Sequence, residues 1–384
     1  MKAEYYAACS FGLEAAAAAE LKKLGLDDVE ARDARVYFHA DEAGLARANI
    51  CLASADRIYM VLKRFYATTF EELFSGIVKM DWAEVIPKNA QMPVLADSVR
   101  SVLKSVPDIQ SISKKAIVEA LKRVYGLSFY KEDGDRFGIY VTILKDEVTV
   151  ALNTSGIGLN RRGYRVRNST APLRETLAAG LIHITGWYDR PFYDVTCGSG
   201  TIAIEAAMKA RNIAPGIKRS FDAEKWNEAY GAAFARERMN ARDSIKKSAE
   251  VPIYGADIDS KTVDMAKFHS RRAGVEKDIR FEVADARRFT AEPGGTIISN
   301  PPYAIRIGQA DEVHELYKEL GKMTARLEKF KYYFITADEQ FERWFGRVAD
   351  KRRKLYNGNV KCCFYQYFRR QKWFGDADVQ MVSV

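Results

Sequence analysis

One strand-turn-helix segment, residues 192–207, limits the folds open to this chain more than any other part of its sequence. Phe192 to Thr196 is apolar enough for a buried strand, and Ile202 to Ala207 has the composition of a helix. The Cys197-Gly198-Ser199-Gly200 turn between them lets the backbone approach a ligand, and the helix N-terminus favours a negative group. Because the third glycine of a dinucleotide fingerprint and the Lys-Ser/Thr of a P-loop are missing, we expect an amino-acid carboxylate there rather than a pyrophosphate.

Two further predicted strands end in carboxylates. Ile253 to Asp259 contains Asp257, which is placed to accept hydrogen bonds from both hydroxyls of a ribose. Ile279 to Ala286 contains Asp285, which is placed to accept one from an adenine N6 amine. With residues 192–207, these strand ends predict binding of a nucleoside that carries an amino-acid tail, a description that fits S-adenosylmethionine.

Asn300-Pro301-Pro302-Tyr303 follows the apolar run Thr296 to Ile298. The Asn300 side-chain carbonyl and the backbone carbonyl beside it can accept two N–H bonds from an exocyclic amine. The prolines stiffen the turn, and the Tyr303 ring can stack on a base taken out of its helix. Two prolines after a strand are also common in ordinary turns that have no catalytic role. The functional interpretation is that two acceptors free the delocalised lone pair of a base amine for attack.

These motifs resemble those of a known family. Asp194 to Gly200, Asp257, Asp285 and Asn300 to Tyr303 resemble motifs I to IV of class I methyltransferases that act on base amines, and Asn168 to Ala178 resembles their motif X. The resemblance covers the whole chain and is closest to the THUMP-domain N2-guanine methyltransferases of bacterial 23S rRNA. In that group, a segment similar to Ser155 to Arg165 joins the THUMP domain to the catalytic domain. A segment similar to Ile213 to Trp226 forms a typical insertion.

The resemblance implies a fold, a reaction and a set of site residues. The fold is a Rossmann-like domain with a mostly parallel seven-stranded sheet, preceded by a ferredoxin-like unit and a THUMP RNA-binding unit. The reaction is methyl transfer from S-adenosylmethionine to the N2 amine of a guanine in 23S rRNA. Asn300, Pro301, Pro302 and Tyr303 would be catalytic. Cofactor contacts would come from Thr170, Ala171, Leu173, Asp194, Thr196, Cys197, Gly198, Ser199, Gly200, Asp257, Ile258, Asp285, Ala286 and Asn300.

Strand and helix signals divide the chain into three parts. We predict a ferredoxin-like unit at residues 1–63, a THUMP domain at 64–157 and a catalytic domain at 158–384. Asp257 lies much further from Asp194 than the roughly 20 positions of a simple βαβ unit. Residues 212–250, rich in Ala, Arg, Glu and Lys, are therefore predicted to be a helical insertion.

Two basic segments have alternative interpretations. Ile112 to Tyr125 has the period of an amphipathic helix, whose Lys114, Lys115, Lys122 and Arg123 are either a solvated face or, as the resemblance implies, part of an RNA-binding domain. Arg161 to Arg167 carries four arginines and no acid, which fits either RNA contact in a cleft or a salt-bridged linker.

Composition limits the partners and the cellular compartment that we expect for this chain. A net charge of +9 and a pI near 9.1 are compatible with a polyanionic partner such as RNA. Five cysteines without a Cys-x-x-Cys pair predict reduced structural thiols and no zinc site. No apolar run of about 18 residues is present, so we expect no transmembrane helix. We expect a cytoplasmic protein without an obligate protein partner.

Several alternatives stay open at the level of sequence. A tRNA N2-guanine methyltransferase can carry the same modules, and Asn-Pro-Pro-Tyr alone does not separate guanine from the N6 amine of adenine in RNA or DNA. A non-catalytic RNA-binding assembly factor is also possible, although an intact Asn300 turn and Gly198-x-Gly200 loop argue against it. Guanine is favoured over adenine by the resemblance and by no single residue.

Overall fold

The computed structural model describes residues 2–165, 173–303 and 310–369. Internal contacts divide the chain into two units, each taken by itself below. The first unit comprises Met1–Ala8, Ala18–Leu159 and Arg219–Asn240, and the second comprises Cys9–Ala17, Asn160–Lys218 and Ala241–Val384. Part of the predicted insertion at 212–250 therefore packs with the N-terminal unit, although it lies within the sequence of the catalytic domain.

Each unit is built on a seven-stranded sheet of described residues. The strands of the first are β1 (Ala3–Ala8), β2 (Asp27–Arg32), β3 (Arg35–Ala40), β4 (Arg57–Tyr66), β5 (Val94–Val99), β6 (Ile139–Leu144) and β7 (Glu147–Asn153). Their spatial order is β2-β3-β1-β4-β7-β6-β5, and only the β5–β6 pair is parallel.

Strand β4 belongs to both predicted N-terminal units. Its first half pairs with β1 of the ferredoxin-like unit, from Arg57 to Met60, and Tyr59 to Tyr66 pair with β7 of the THUMP unit. The predicted boundary between residues 63 and 64 lies inside this strand, and the division into 1–63, 64–157 and 158–384 stays a prediction. The two units consequently share one continuous sheet.

The strands of the second sheet are β8 (Phe192–Asp194), β9 (Ile253–Asp257), β10 (Ile279–Val283), β11 (Gly295–Ser299), β12 (Phe330–Thr336), β13 (Lys351–Asn357) and β14 (Val360–Tyr367). Their order is β10-β9-β8-β11-β12-β14-β13. The first five are parallel, and β14 is antiparallel to both of its neighbours. The predicted mostly parallel sheet is thus confirmed, and β13 and β14 form an antiparallel hairpin at its edge. The hairpin loop is Gly358-Asn359, because Asn357 pairs with Val360.

The helices along the chain are α1 (Glu14–Lys23), α2 (Glu42–Cys51), α3 (Phe70–Val78), α4 (Val106–Tyr125), α5 (Glu175–Thr185), α6 (Thr201–Ala210), α7 (Glu228–Asp243), α8 (Ser260–Ala273), α9 (Ala310–Ala325) and α10 (Phe341–Phe345). Helix α4 begins six residues before the predicted Ile112, because Pro107 fits a first helical turn that needs no amide donor. In the described part of the chain, no helix is both long and apolar enough to cross a membrane.

Packing places the apolar core of each unit against its helices. In the first unit, α3 and α4 cover strand residues such as Ile139, Val141 and Val150. In the second, aromatic side chains of α9, α10, β12 and β14 form a core that contains Tyr317 and Phe334. None of the five cysteines, all of them described, forms a disulfide bond.

Candidate active site

The carboxyl ends of β8, β9 and β11 meet at one edge of the second sheet, because these strands are parallel neighbours. The buried Asp194 ends β8, and the Ser299 hydroxyl at the end of β11 donates to its Oδ1 over 2.6 Å. Ser299 Oγ also accepts the Thr196 amide at 3.2 Å. Burial raises the pKa of the Asp194 carboxyl to about 7, against the opposing effect of the Ser299 hydrogen bond. Asn300 therefore follows directly on a residue tied to the predicted cofactor loop.

The Gly-x-Gly turn has the backbone that its glycines permit. Gly198 and Gly200 have φ of +52° and +83°. A Cβ on Gly200 would lie 2.9 Å from the Ala266 Cβ, so only glycine fits against helix α8. Cys197 donates its amide to the Ala256 carbonyl at 2.8 Å. Burial raises the pKa of its thiol, which disfavours a thiolate nucleophile at this turn.

Asp257 joins the ends of β8, β9 and β10. Its Oδ2 accepts the Gly198 amide at 2.9 Å, and its Oδ1 accepts the Asp259 amide at 3.1 Å. Its carbonyl accepts the Ala284 amide at 3.0 Å, which brings the loop that carries Asp285 alongside. The neighbouring Ile258 side chain is 67% exposed, an apolar surface available to a flat ring.

Asp285 is engaged by a cation rather than open. The Arg287 guanidinium contacts both of its oxygens, at 2.9 Å from Nε to each and 2.6 Å from Nη2 to Oδ2. These hydrogen bonds hold the pKa of the Asp285 carboxyl below its ordinary value. Ala286, next in the chain, is buried in a short 3₁₀ turn that Asp285 caps. A base amine that binds Asp285 must therefore share it with Arg287.

The Asn300 turn is held from two sides. The Tyr303 hydroxyl donates to Asn300 Oδ1 over 2.7 Å, while the Cys362 thiol lies 3.7 Å from the same hydroxyl. The buried Tyr317 hydroxyl, on α9, donates to the Pro302 carbonyl over 2.6 Å. Tyr303 thus has a partner for its hydroxyl in addition to the ring predicted to stack on a base. The predicted catalytic roles of these residues stay predictions.

The arginine segment at 161–167 is built into the second unit, as far as it is described. Arg162 and Glu205 of α6 form a buried ion pair with 3.5 Å between Nη2 and Oε2, and the Tyr164 hydroxyl donates to Glu205 Oε1 at 3.0 Å. Arg165 Nη2 donates to Thr201 Oγ1 at 2.6 Å and to the Leu173 carbonyl at 2.9 Å. Of the two interpretations, these contacts favour the salt-bridged linker.

Arg165 joins two segments that the resemblance assigns to the same cofactor. Leu173 belongs to the motif X segment and Thr201 begins the helix after the Gly-x-Gly turn. Thr170 and Ala171, the other motif X residues predicted to touch the cofactor, lie outside the described residues. Among the described residues, Arg165 therefore links motif X, at Leu173, to the start of the helix after the Gly-x-Gly turn.

Four residues at this edge were not found from the sequence. They are Arg165, Ser299, Tyr317 and His269, whose Nδ1 lies 3.2 Å from the Ser199 carbonyl. Each makes a hydrogen bond to a predicted site residue: Arg165 to Leu173, Ser299 to Asp194 and Thr196, Tyr317 to Pro302, and His269 to Ser199. Only Ser299 carried a usable signal, because it ends the strand before Asn300.

The second sheet has this strand order, a glycine loop follows β8, and Asn-Pro-Pro-Tyr follows β11. Together these features define a class I methyltransferase. Residues 162–366 match the family model described as RMKL-like, methyltransferase domain. Residues 4–59 match the RlmL ferredoxin-like domain and residues 67–153 the THUMP domain. The chain belongs to the RMKL-like methyltransferase family, and the expected THUMP-domain, S-adenosylmethionine-dependent class is confirmed.

Individual relatives agree with this family. "Putative RNA methyltransferase YpsC" of Bacillus subtilis (strain 168) is 40% identical, with 95% of each chain covered. The crystal structure of "SMU.472, a putative methyltransferase complexed with SAH" has a TM-score of 0.89 and 39% identity, over 97% of this chain and 99% of that one. "Ribosomal RNA large subunit methyltransferase K/L" of Shewanella baltica (strain OS185) is 33% identical over 94% of this chain, which spans 52% of that protein's length.

Proposed function

We propose that the chain transfers a methyl group from S-adenosylmethionine to the N2 amine of a guanine in 23S rRNA. The observation that carries the proposal is the Asn300 turn, fixed beside the Asp194 and Gly198 loop by Ser299, Tyr303 and Tyr317. The THUMP domain and the names of the RNA methyltransferase relatives support RNA as the substrate. Such an enzyme would act in the cytoplasm, as the sequence analysis expects.

The residues present fit the cofactor. The exposed Ile258 offers an apolar surface for the adenine, and Asp257 keeps acceptor capacity for a ribose beyond its two amide contacts. The Thr196 hydroxyl is buried without a hydrogen-bond partner among the described residues, so it is available to a polar group at the loop. When bound, S-adenosylmethionine supplies an electrophilic methyl group.

The Asn300 turn prepares the acceptor amine. Asn300 Oδ1 has two lone pairs, one of which accepts the Tyr303 hydroxyl, so the other can accept an amine N–H. The Pro301 carbonyl is the second proposed acceptor, and Tyr317 fixes the adjacent peptide. Held in this way, the nitrogen directs its lone pair at the methyl carbon. The methylated nitrogen is cationic and acidic, so water can take its proton and no strong general base is required.

This geometry requires the target base to flip out of its stack, which costs free energy. Taking a guanine out of its stack costs a few kcal/mol. Stacking on an aromatic ring such as Tyr303 returns roughly 1–3 kcal/mol per base. The Tyr303 ring can therefore offset much of the cost, while its hydroxyl orients Asn300.

Mass spectrometry of nucleosides from purified rRNA and tRNA of a deletion strain tests the proposal. We expect N2-methylguanosine to disappear from 23S rRNA, and to return with the wild-type chain but not with Asn300→Ala. Loss from tRNA alone would contradict the proposed substrate, and loss of N6-methyladenine from RNA or DNA would contradict the proposed base. Unchanged nucleosides, together with normal S-adenosylmethionine binding in vitro, would indicate a non-catalytic RNA-binding factor.

A further inference from the structure

On one face of the first unit's sheet, the described residues form a cluster of strand side chains. Side chains alternate between the two faces of a strand, so Tyr6 and its neighbour Tyr5 point in opposite directions. Helices α3 and α4 pack on the other face, whereas the cluster around Tyr6 consists of strand residues alone in the described part of the chain. The insertion also packs away from it, since the Tyr5 hydroxyl contacts Tyr230 of α7.

Four tyrosines form a ladder across this face. Ring centroids lie 5.7 Å apart for Tyr37 and Tyr6, 5.0 Å for Tyr6 and Tyr59, and 5.0 Å for Tyr59 and Tyr140. The ladder crosses β3, β1, β4 and β6, with Ala151 of β7 leaving room for the last contact. The rings of Tyr6, Tyr37 and Tyr59 are buried, and arginine side chains are part of what covers them.

Three guanidinium groups lie over these rings. Arg35 is 4.7 Å from the centroid of Tyr6, and Arg32 and Arg64 are 4.9 and 5.2 Å from that of Tyr37. Arg32 is exposed and Arg35 is half-buried. Arg35 Nη1 donates to the Tyr37 hydroxyl at 3.5 Å, which leaves other N–H groups of the guanidinium for an acceptor such as phosphate. We define the Tyr–Arg face by Tyr6, Tyr37, Tyr59, Tyr140, Arg32, Arg35, Arg64 and Tyr66.

The charges on this face are unevenly matched. Glu4 binds Arg64 with two hydrogen bonds of 2.7 and 2.8 Å. Among the described residues, neither Arg32 nor Arg35 lies in an ion pair with a carboxylate. Tyr66, two residues beyond Arg64 and hence on the same face, is 73% exposed. The face therefore presents two uncompensated cations and one open aromatic ring.

Helix α4, which the sequence associates with RNA, has two of its four cations in ion pairs. Lys114 pairs with Glu132 at 2.5 Å and also donates to the Met92 carbonyl. Lys115 lies 3.8 Å from Glu119, four residues on. Lys122 and Arg123 of α4 lie in no ion pair with a carboxylate among the described residues, so the guanidinium groups stacked on rings and the exposed Tyr66, rather than charge, distinguish the Tyr–Arg face.

We propose that the Tyr–Arg face binds RNA, with Arg32 and Arg35 on phosphates and Tyr66 under a base. Arginine interleaved with aromatic rings suits such contacts, because phosphates position a strand and any base can stack. The inference rests on the proposed function, in which the substrate is an RNA.

The test compares two double variants of the full chain that lose the same charge. Arg32→Gln/Arg35→Gln alters the Tyr–Arg face, and Lys122→Gln/Arg123→Gln alters α4. Binding of an unmodified 23S rRNA transcript is followed by fluorescence anisotropy over a series of NaCl concentrations. We expect a loss of affinity of about tenfold for the first pair, and a salt slope that falls by roughly 0.7 for each phosphate contact removed. The α4 pair should bind as the wild type does.

Controls separate the possible failures. Thermal unfolding and S-adenosylmethionine affinity should match the wild type, and exposed Arg32→Gln alone should give about half of the slope change if Arg35→Gln perturbs the sheet. Wild-type binding by the first pair, or an equal loss in both pairs, would overturn the proposed face while leaving the methylation result untouched. If the wild type binds the transcript without methylating it, and the first pair still binds weakly, the face stands and the proposed function fails.

Discussion

The two sheets of this protein carry their polar groups in different places. In the second unit, Asp194 and Asp257 end two adjacent strands and Asn300 follows a third. Ser299 and Gly198 donate hydrogen bonds to the two carboxylates. In the first unit, the Tyr–Arg face extends across strands from β2 to β6 and no residue stands at its centre. A site at a sheet edge depends on a few residues, each with a large effect. A face divides its contacts among many residues, each with a small effect.

The largest effect should come from Asn300→Ala at the edge. Removing the acceptor should lower kcat by roughly 10²- to 10³-fold, the range seen when one preorganised hydrogen-bonding group is lost from an active site. S-adenosylmethionine affinity, measured by calorimetric titration, should remain that of the wild type. Lost cofactor binding would show that Asn300 does not act on the acceptor alone and would weaken the distinction between edge and face.

The second effect concerns pH and Asp194. Burial raises the pKa of its carboxyl to about 7, against about 3.9 in an unfolded chain. Between these values the folded state keeps a proton that the unfolded state has lost, so the free energy of unfolding falls as pH rises and levels off above 7.

Asp194→Asn should remove that decline. Relative to the wild type, the variant should gain on the order of 2–4 kcal/mol of unfolding free energy between pH 4 and pH 8. Urea titrations across this range measure the difference, in which the other titrating groups cancel. Parallel curves for the two proteins would mean that Asp194 is ionised throughout in the folded state.

The third effect tests support of the edge from a distance. Tyr317→Phe removes the hydroxyl that donates to the Pro302 carbonyl over 2.6 Å. Loss of one hydrogen bond of about 1 kcal/mol should lower kcat roughly fivefold. S-adenosylmethionine affinity should not change. Cys362→Ser serves as a control at the same turn, because the thiol lies 3.7 Å from Tyr303 and makes a weak contact at most. Equal loss in both variants would point to general loosening of the turn.

The smallest effect should arise on the Tyr–Arg face. Glu4→Gln releases Arg64 from its paired hydrogen bonds. RNA affinity should then rise about twofold, and the salt slope should steepen by at most roughly 0.7. Glu119→Gln on α4 removes the same charge and releases Lys115, and it should leave binding unchanged. An equal rise in both variants would mean that net charge, rather than the face, governs RNA affinity.

The difference between edge and face also explains what the sequence could predict. Asp194, Asp257 and Asn300 each follow an apolar run, so a strand and its functional end are visible within a few neighbouring residues. The confirmed fold class and family rested on these short segments. Their roles in the site have not yet been tested, and Thr170 and Ala171 lie outside the described residues.

The remaining contacts could not be predicted from short stretches of neighbouring residues. Arg165 reaches Thr201, and Tyr317 reaches Pro302, only after the chain has folded. The Tyr ladder joins residues 6, 37, 59 and 140, each an ordinary strand position in its own segment. The two partners of the shared strand β4 likewise depend on the register of β1 and β7.

That shared strand makes the two N-terminal units mechanically inseparable. A fragment that began at residue 64 would strip β7 of its partners from Tyr59 to Lys63, and a fragment that ended at residue 63 would leave the same residues of β4 without β7. Unpaired amides on a strand edge recruit other chains and promote aggregation. We therefore expect the ferredoxin-like and THUMP units to be expressed and to unfold together. Because β4 runs through both units, this single strand fixes the distance between their surfaces.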